Sequence, residues 1–507
     1  MGVPPRPFRQ PTRLAAMLAA ALIFAGCEAA PEAGGAITAV NVYTAPVPVG
    51  VNALMERHRL AGARVGFVLY DIARGDRLAA LNRNELFIPA STIKVATTLA
   101  ALNILGHDYR FDTRLLATGA IAGTALNGDL YLQGGGDPLL QAQDLMALAQ
   151  RLKDAGVSSL TGQFFYDVSL LATTEKISAR WPDNTRYNPG VDALSLDFNR
   201  TLLTWRPKDE AGTVEAFETP AFDDAGPGLA DADPDTGRGI IYAGPQSAGR
   251  WLLSPSAPAT GSEYLPVKTP GLRAARVFRR FCDLIGVELP EPQAAPAPAD
   301  AKVLGRVSSP PLTAIARQSL EHSNNMVAEL IGQVAARRLT GKPGTLAQSA
   351  AAMAGWLKTT IPGVAWDGFQ MPNHSGLAED ARVSPEQMAA ILRFAAGQRY
   401  GGVGYQTLLP VSGYRKSMNG RLRDPTTALR VWAKTGTLRY AKGLAGVLFT
   451  QQGRQVVFVL YITDFDRFRA QGPAAIAQAS DGDAAKDWTR RAFAFQEDLV
   501  REWIIQY

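Results

Sequence analysis

The sequence predicts a mixed α/β fold of the α+β type: an antiparallel sheet flanked by helices, interrupted by a large inserted domain rich in β-strands. Near the start, an apolar strand, a turn and a second strand precede an apolar helix. Near the end come helices, two long strands and an amphipathic helix. Between these parts, short strand-like runs are divided by Gly, Pro and Asp. We therefore expect one domain, split in sequence, that surrounds a second domain.

The domain boundaries follow from these changes in predicted secondary structure and composition. The split domain is expected to comprise residues 51–111 and 303–507, and the inserted domain residues 112–302. Within the insertion, residues 207–262 are more polar and predict a nested subdomain, whereas the Pro/Ala-rich run 288–301 is typical of a linker.

The early hairpin "ARVGFVLYDIARGDRLAALN" is expected to turn at Gly75-Asp76, and the apolar helix that begins at Ser91 is expected to stop at Gly106. Late in the chain, "LRVWAKTGTL" and "GLAGVLFTQQGRQVVFVLYITD" predict strands, and the second of these bends back at Gln452-Gly453. A terminal helix is expected from about Ala484 to Ile505.

Composition limits the class of protein. The 507 residues have room for two or three domains, and 47% hydrophobic with 19% charged residues is ordinary for a folded chain. The formal net charge is +6, and removing the three arginines of the first 13 residues leaves +3. A charge this small does not favour nucleic-acid binding.

Residues 1–26 predict a signal peptide, because arginines precede an apolar run of 13 residues that is too short to span a bilayer. "FAGC", which ends at Cys27, resembles a lipoprotein cleavage box, although Phe24 stands where leucine is usual. A lipid anchor at Cys27 and ordinary cleavage a few residues later are both compatible with this pattern. Residues 27–50 predict a tether. We expect an exported, periplasmic protein, attached to the membrane if Cys27 carries lipid.

The helix that begins at Ser91 is apolar nearly all the way round, yet it contains one charged residue, Lys94. Positions three apart lie on one helix face, so Lys94 should reach the Ser91 hydroxyl. Burial disfavours an ammonium, and a neutral amine could take the serine proton. The alternative is that Ser91 only caps the helix and that Lys94 extends into solvent. No other Ser-x-x-Lys occurs in the chain.

Two further motifs carry chemically useful groups. In "EHSNNMVAEL", Ser323 and Asn325 fall at a predicted junction between helices, where they could relay a proton and hold a substrate amide; a capping serine in a polar turn is the alternative. In "VWAKTGTLRY", a strand would point Lys434 and Gly436 to one face and Thr435 to the other. Gly436 would let a ligand backbone approach closely, and Lys434 would supply a cation for a carboxylate.

Together, in the order Ser-x-x-Lys, Ser-x-Asn, Lys-Thr-Gly, these motifs resemble the active-site-serine penicillin-recognising enzymes. The large interruption between the first two motifs narrows the resemblance to the D-Ala-D-Ala carboxypeptidase/endopeptidases, the low-molecular-mass class C penicillin-binding proteins. It covers the chain from about residue 50 onwards and implies a penicillin-binding/β-lactamase-like serine transpeptidase fold. Further matching runs are "GGGDP" (134–138), "FYDVSLLA" (165–172), "ALSLDFN" (193–199) and "SGLAEDARVSPEQMAAIL" (375–392).

This resemblance implies a serine-type D-Ala-D-Ala carboxypeptidase, and a D,D-endopeptidase, that acts on peptidoglycan stem peptides through an acyl-enzyme and is acylated by β-lactams. Ser91 would be the nucleophile and Lys94 its base. Ser323 would relay a proton, and Asn325 would contact the substrate amide. The resemblance implies no cofactor or metal, and the sequence does not indicate an oligomeric state.

The resemblance also implies substrate contacts. Lys434 and Thr435 would bind the terminal carboxylate, and the backbone N–H groups of Ser91 and Thr437 would form the oxyanion hole. Asp167 matches an acid of the inserted domain that meets the diamino acid of the stem peptide in related proteins. A strand-end aspartate in a turn explains Asp167 equally well.

One departure from the family pattern concerns the residues before the "SGL" run, where Asn373-His374 replaces the usual Asp-Gly and leaves the local loop conformation open.

Among rival functions, a Ser-His-Asp hydrolase is disfavoured because no Gly-x-Ser-x-Gly occurs, and a β-lactamase because of the long insertion. A catalytically idle wall-binding lipoprotein is disfavoured because all three motifs are intact. His-Glu-x-x-His and paired cysteines, which would indicate zinc, are missing from the sequence.

Overall fold

The computed structural model describes residues 50–207, 214–219, 240–242, 251–253, 260–414, 417–471 and 482–507. The predicted signal peptide, the tether and Cys27 lie outside these residues, as does much of the predicted nested subdomain at 207–262. Within the described chain, no helix combines the length and apolar character that a membrane span requires.

The helices are α1 (Val51–Arg57), α2 (Lys94–Leu105), α3 (Ala142–Asp154), α4 (Pro270–Leu284), α5 (Leu312–His322), α6 (Asn325–Thr340), α7 (Leu346–Thr360), α8 (Pro385–Ala396), α9 (Phe465–Ala470) and α10 (Gly482–Gln506). The strands are β1 (Arg64–Asp71), β2 (Arg77–Leu81), β3 (Asp112–Ala117), β4 (Ala120–Ala122), β5 (Ala125–Asn127), β6 (Leu130–Gln133), β7 (Ser159–Leu160), β8 (Phe164–Asp167), β9 (Arg200–Pro207), β10 (Val214–Thr219), β11 (Ile240–Tyr242), β12 (Trp251–Leu253), β13 (Gly261–Pro266), β14 (Gln293–Ala294), β15 (Lys302–Ser308), β16 (Arg399–Tyr400), β17 (Val403–Gly404), β18 (Val431–Leu438), β19 (Ala441–Phe449) and β20 (Gln455–Thr463).

The two ends of the chain meet in one five-stranded antiparallel sheet, in the order β18-β19-β20-β1-β2. Strand β1 pairs with β20 along its whole length, so the early hairpin is completed by the late strands. Both β19 and β20 are buried almost throughout, because helices cover the two faces of the sheet, and this explains their continuous apolar sequence. The predicted antiparallel sheet flanked by helices is confirmed.

Helix α2 lies at the centre of the helical layer and contacts α5, α6, α7 and α8. Its first nine residues are buried on all sides, which is why its sequence shows no polar face. It ends at Gly106, whose φ of +94° favours glycine, as predicted. Its start differs from the prediction: a 3-10 turn, Ala90–Ile93, comes first, and the α-helix begins at Lys94.

The inserted region has a second five-stranded sheet, in the order β14-β8-β6-β3-β15. Helices α3 and α4 and this sheet enclose a separate apolar core, which confirms the expected β-rich insertion. Strand β15 pairs with β3, so the sheet of the inserted region continues to Ser308, beyond the predicted boundary at residue 302. The run predicted as a linker also takes part, because β14 pairs in parallel with β8 and forms the edge of this sheet. The smaller sheets are β10-β9-β13, β4-β5-β7, β11-β12 and β16-β17.

Candidate active site

Ser91 lies in the 3-10 turn at the start of α2. The residue before it, Ala90, has φ of +46°, a left-handed conformation that costs a non-glycine residue about 1 kcal/mol or more. Such strain persists only where the surroundings fix the backbone. Here they do, because neighbouring segments pack directly against Pro89 and Ala90.

Lys94 is fully buried, with 0% of its surface exposed, and its amine has three hydrogen-bond partners. Nζ lies 2.8 Å from Ser91 Oγ, 2.8 Å from Asn325 Oδ1 and 2.7 Å from the Ser375 carbonyl oxygen. Burial lowers the pKa of Lys94 well below its usual value, the charge of Lys434 lowers this pKa further, and the charge of Glu329 opposes both effects. The predicted proximity of hydroxyl and amine is present, and the outward orientation of Lys94 is excluded.

This geometry orients the neutral amine. A neutral lysine has two N–H groups and one lone pair, and its three neighbours differ in what they offer. Asn325 Oδ1 and the Ser375 carbonyl oxygen are acceptors only, so each must receive an N–H group. The lone pair then faces Ser91 Oγ, the one neighbour that can donate. Lys94 is therefore arranged to take the proton of Ser91.

The second motif occupies the turn between α5 and α6. Ser323 is half-buried, and its φ of +55° reverses the chain after α5; Asn324 then caps α6 by accepting a hydrogen bond from the Val327 N–H at 3.2 Å. This turn projects Asn325 towards Lys94. The Asn325 side chain makes two hydrogen bonds. Its Oδ1 accepts from Lys94 Nζ, and its Nδ2 donates to the Tyr187 carbonyl oxygen at 2.9 Å.

The third motif forms strand β18, at the edge of the central sheet. The N–H group of Ala433 bonds to the Pro410 carbonyl and that of Val431 to Ser412 Oγ, so both point away from β19. Since backbone groups alternate along a strand, the N–H groups of Thr435 and Thr437 point to the same outer edge. Donors at that edge can pair with an extended peptide and with an oxyanion.

Lys434 is buried, with 1% exposed surface, and donates to the Thr435 carbonyl oxygen at 2.8 Å. Burial lowers its pKa to about 7, against the opposing effect of the Glu321 charge. Thr435 is half-exposed and Thr437 is exposed, so their hydroxyl groups are accessible from solvent. A buried amine on the same strand as two accessible hydroxyl groups suits an incoming carboxylate, whose charge would favour the ammonium form of Lys434.

Gly436 was expected to make room for a ligand, but in the structure it makes room for the nucleophile segment. A Cβ atom at this position would lie 2.4 Å from the Pro89 carbonyl oxygen and 3.1 Å from Thr92 Cγ2. The missing side chain therefore lets β18 approach the turn that holds Ser91. This contact connects the first and third motifs.

For Asp167, the structure favours the structural alternative over contact with a substrate. The residue ends β8 and is 3% exposed. Its carboxylate accepts hydrogen bonds from Ser169 N–H, Gln133 Nε2 and Ala297 N–H at 2.9, 2.9 and 3.0 Å, and these donors lower its pKa in spite of burial. Asp167 thus fixes a turn and the segment that follows β14.

Sequence reasoning missed the role of the turn 373–376, whose Ser375 carbonyl oxygen accepts a hydrogen bond from Lys94 Nζ. Gly376 has φ of +76°, and a Cβ atom there would lie 2.0 Å from the Ala90 carbonyl oxygen, so the turn packs tightly on the nucleophile segment. Asn373 closes the turn by accepting from the Gly376 N–H at 3.0 Å. The signal in the sequence was the "SGL" run, but a backbone acceptor leaves no side-chain signature.

The unusual His374 is accommodated inside the protein. It is fully buried, and burial lowers its pKa to about 3, so the ring is neutral. The Ser349 hydroxyl donates to the Leu346 carbonyl oxygen, so His374 Nε2 is the donor in its 2.9 Å contact with Ser349 Oγ. The ring lies directly against Gly332 of α6, where a Cβ atom would come within 2.1 Å of His374 Cγ.

Replacing Gly332 by alanine is therefore expected to lower the free energy of unfolding by about 3 kcal/mol and to slow acylation, because the histidine ring and its turn must move. Thermal unfolding and labelling by penicillin measure the two effects. His374→Gly in the same chain should restore much of the loss, since it removes the clash. Gly355→Ala on α7 is the control, because nothing lies within 4 Å of a Cβ atom there. A Gly332→Ala protein as stable as the control would contradict this packing.

No group of three or more His, Cys, Asp or Glu side chains that could hold a metal ion occurs in the described part of the chain. The chemistry assembled around Ser91 consists of a hydroxyl, two buried amines, an amide and edge N–H groups.

Several known proteins are similar to this chain in sequence. The sequence profile of the D-Ala-D-Ala carboxypeptidase 3 (S13) family matches residues 49–231 and 250–482. The D-alanyl-D-alanine carboxypeptidase of Actinomadura sp. (strain R39) is 27% identical over 436 residues, which cover 80% of this chain and 78% of that relative. The D-alanyl-D-alanine carboxypeptidase DacB of Haemophilus influenzae is 24% identical over 425 residues, which cover 80% of this chain and 86% of the relative.

Solved structures show the same fold. Penicillin-binding protein 4 (dacB) from Haemophilus influenzae superposes with a TM-score of 0.72 at 21% identity, covering 86% of this chain and all of that one. Its crystal structure in complex with a β-lactam superposes with a TM-score of 0.71 at 22% identity, covering 91% of this chain and all of that one.

Proposed function

Because the chain belongs to the D-Ala-D-Ala carboxypeptidase 3 (S13) family, and is thus a serine-type peptidase, we propose that Ser91 is its nucleophile and Lys94 the base that activates it. The observation that carries this assignment is the set of three hydrogen bonds of Lys94. Two of them occupy its N–H groups, and the third directs the free amine at the Ser91 hydroxyl. The substrate is a peptidoglycan stem peptide that ends in D-Ala-D-Ala.

In the acylation step, Ser91 Oγ attacks the carbonyl carbon of the penultimate D-alanine, and the hydroxyl proton passes to Lys94 Nζ. The negative charge that develops on the carbonyl oxygen is stabilised by the N–H groups of Ser91 and Thr437. The C–N bond then breaks, and the proton that Lys94 took from Ser91 passes through the Ser323 hydroxyl to the amine of the leaving D-alanine. Water attacks the resulting ester, which releases the shortened peptide and restores the Ser91 hydroxyl.

The substrate would be bound by groups on two sides of Ser91, one set for its terminal carboxylate and one for its amide. The terminal carboxylate would lie between the Lys434 ammonium and the Thr435 hydroxyl, in line with the outer edge of β18. The amide nitrogen of Asn325, which now donates to a backbone carbonyl oxygen, would be the group that contacts the substrate amide. Asp167 is not needed for this pose, because its carboxylate is already bound by donors of the chain.

Two further activities follow from the same chemistry. A cross-link between stem peptides presents a D-alanine carbonyl in an amide bond, so its hydrolysis would make the enzyme a D,D-endopeptidase. A β-lactam presents a strained amide with a nearby carboxylate, and it would acylate Ser91 in place of the peptide. The Haemophilus influenzae structure in complex with a β-lactam supports this expectation at the level of the shared fold.

The cell-wall substrate agrees with export to the periplasm, where stem peptides are accessible. The basic and apolar leader in residues 1–26 supports this location, and Cys27 would add a membrane anchor if it carries lipid. Mass spectrometry of the mature N-terminus distinguishes a lipid-modified Cys27 from cleavage a few residues later.

Digestion of purified peptidoglycan fragments, with the products separated by mass, tests the proposed function. We expect pentapeptides to lose one D-alanine and cross-linked dimers to give monomers, and we expect Ser91→Ala to leave both substrates intact. Folded wild-type protein that releases no D-alanine, or that cuts the glycan instead, would refute the proposal. Release of D-alanine without cleavage of dimers would restrict it to the carboxypeptidase.

A further inference from the structure

Glu329 is a buried carboxylate on α6 that the proposed acylation step does not use. It lies one turn after Asn325, on the same helix face, and 0% of its surface is exposed. Burying a carboxylate is costly unless every oxygen is bound, and an apolar residue would serve the core better. Its presence among apolar neighbours therefore needs a reason.

The carboxylate binds the turn that touches Lys94. Glu329 Oε2 accepts from the His374 N–H at 3.0 Å, and Oε1 accepts from the Ser375 N–H at 2.9 Å. The Ser375 side chain also lowers the pKa of this carboxylate. Since both oxygens face N–H groups, which donate a hydrogen bond and cannot accept one, these contacts fit the ionised carboxylate. One residue therefore links α6 to the carbonyl oxygen that accepts a hydrogen bond from Lys94.

We infer that Glu329 is a positioning residue for acylation: its carboxylate holds the turn 373–376 so that the Ser375 carbonyl takes one N–H of Lys94 and the amine lone pair faces Ser91. The inference rests on the proposed function. Without this support the Ser375 carbonyl could rotate away, and the amine would lose one of the two acceptors that orient it. Glu329 touches neither the nucleophile nor the substrate.

The charge of Glu329 also acts on Lys94. Of the charged groups that influence Lys94, Lys434 lowers its pKa and Glu329 raises it, while the ring of His374 is neutral and Glu321 acts on Lys434. Burial raises the pKa of Glu329, and its N–H donors, the Ser375 side chain and the charge of Lys94 oppose that rise. Removing the negative charge should therefore lower the pKa of Lys94 further.

The test compares the pH dependence of penicillin acylation in the full-length wild type, Glu329→Gln and Glu329→Asp. In Glu329→Gln we expect the maximal rate to fall by about 10- to 100-fold, since one N–H of the turn then faces an amide NH₂ group. We also expect the acid limb of the profile to move to lower pH, since the ammonium form of Lys94 loses a stabilising charge. Glu329→Asp keeps the charge, so it should be slow but should keep the wild-type acid limb.

Gln333→Leu is the matched control, because Gln333 lies one turn further along α6, is equally buried and has no hydrogen bond to its amide among the described residues. It should leave the acid limb in place. A Glu329→Gln protein with a wild-type rate, or a slow one with an unmoved acid limb, would overturn the inference, because a merely structural residue predicts the latter. If Glu329→Gln does not fold, a shifted acid limb in Glu329→Asp overturns it. Wild-type protein that is not acylated refutes the proposed function instead.

Discussion

Replacing Ser91 by alanine is expected to lower the rate of D-alanine release from a D-Ala-D-Ala peptide by more than about 10⁴-fold, because the nucleophile is lost and the Lys94 amine has no hydroxyl to deprotonate. The turn itself should be unaffected, since Ser91 contributes only its hydroxyl to the hydrogen bond with Lys94. Release of D-alanine, measured by an enzyme-coupled or mass-spectrometric assay, gives the rate.

Ser319→Ala is the matched control for this loss. Ser319 is a buried serine of α5 whose hydroxyl has no hydrogen-bond partner among the described residues. Its replacement removes the same atom and should leave the rate within a few-fold of wild type. Residual turnover of Ser91→Ala at the level of this control would mean that another group attacks the substrate.

Replacing Lys94 by arginine is expected to slow acylation by at least about 100-fold, because a guanidinium stays protonated and cannot act as a base. In the wild type, the neutral amine is the active form. Burial favours that form by lowering the pKa of Lys94, so acylation should fall only as the pH drops through this lowered pKa. Stopped-flow acylation by a chromogenic β-lactam, measured as a function of pH, follows both effects.

Lys442→Met is the control for removing a buried amine. Lys442 is 1% exposed, and burial lowers its pKa to about 7, but it contacts the aromatic rings of Trp488 and Phe493 rather than Ser91. This variant should keep the acid limb of the wild-type profile. Acylation of Lys94→Arg at a near-native rate, with the wild-type pH profile, would remove Lys94 from the mechanism.

A third lysine, Lys434, is expected to determine the alkaline side of the pH profile. The pKa of Lys434 is lowered to about 7, so a rising pH removes the positive charge that binds the substrate carboxylate in the free enzyme. On the proposed mechanism, we expect the acid limb to report the protonation of Lys94 and weaker binding at high pH to report the loss of charge on Lys434. The two lysines have opposite requirements because one must be neutral to react and the other must be charged to bind.

The side chains of the site could largely be predicted from sequence, because each motif combines a distinctive residue spacing with a recognisable element. Lys94 begins an apolar helix directly after the 3-10 turn that holds Ser91, Asn325 begins the helix that follows a turn, and Lys434 lies on a strand. The sheet could also be predicted, because β1 and β20 are unbroken apolar runs that need partners. Local pattern and global fold agree at these positions.

The backbone contributions could not be predicted. The left-handed conformations of Ala90 and Ser323 are unusual for these residue types, and only tertiary contacts make them stable. The Ser375 carbonyl is an acceptor that any residue would offer, so only its position identifies it. Gly436 was assigned to a ligand because sequence cannot tell which backbone approaches a glycine.

The inserted region shows that a Pro/Ala-rich composition does not by itself distinguish a linker from a strand at the edge of a sheet. A run rich in Pro and Ala was interpreted as a linker, yet β14 within it adds to the edge of a sheet through backbone hydrogen bonds that do not depend on side-chain type. Ala297, three residues after β14, is held by Asp167, whose acidic side chain had suggested contact with a substrate.

Mapping the site of covalent attachment after reaction with penicillin tests the central claim most directly. Mass spectrometry of the intact protein, followed by proteolysis, should find one penicilloyl group per chain, on the peptide that contains Ser91 and attached to that residue. An adduct on Ser323, on Ser375 or elsewhere, in a folded protein that still releases D-alanine, would contradict the assignment of Ser91 as the nucleophile.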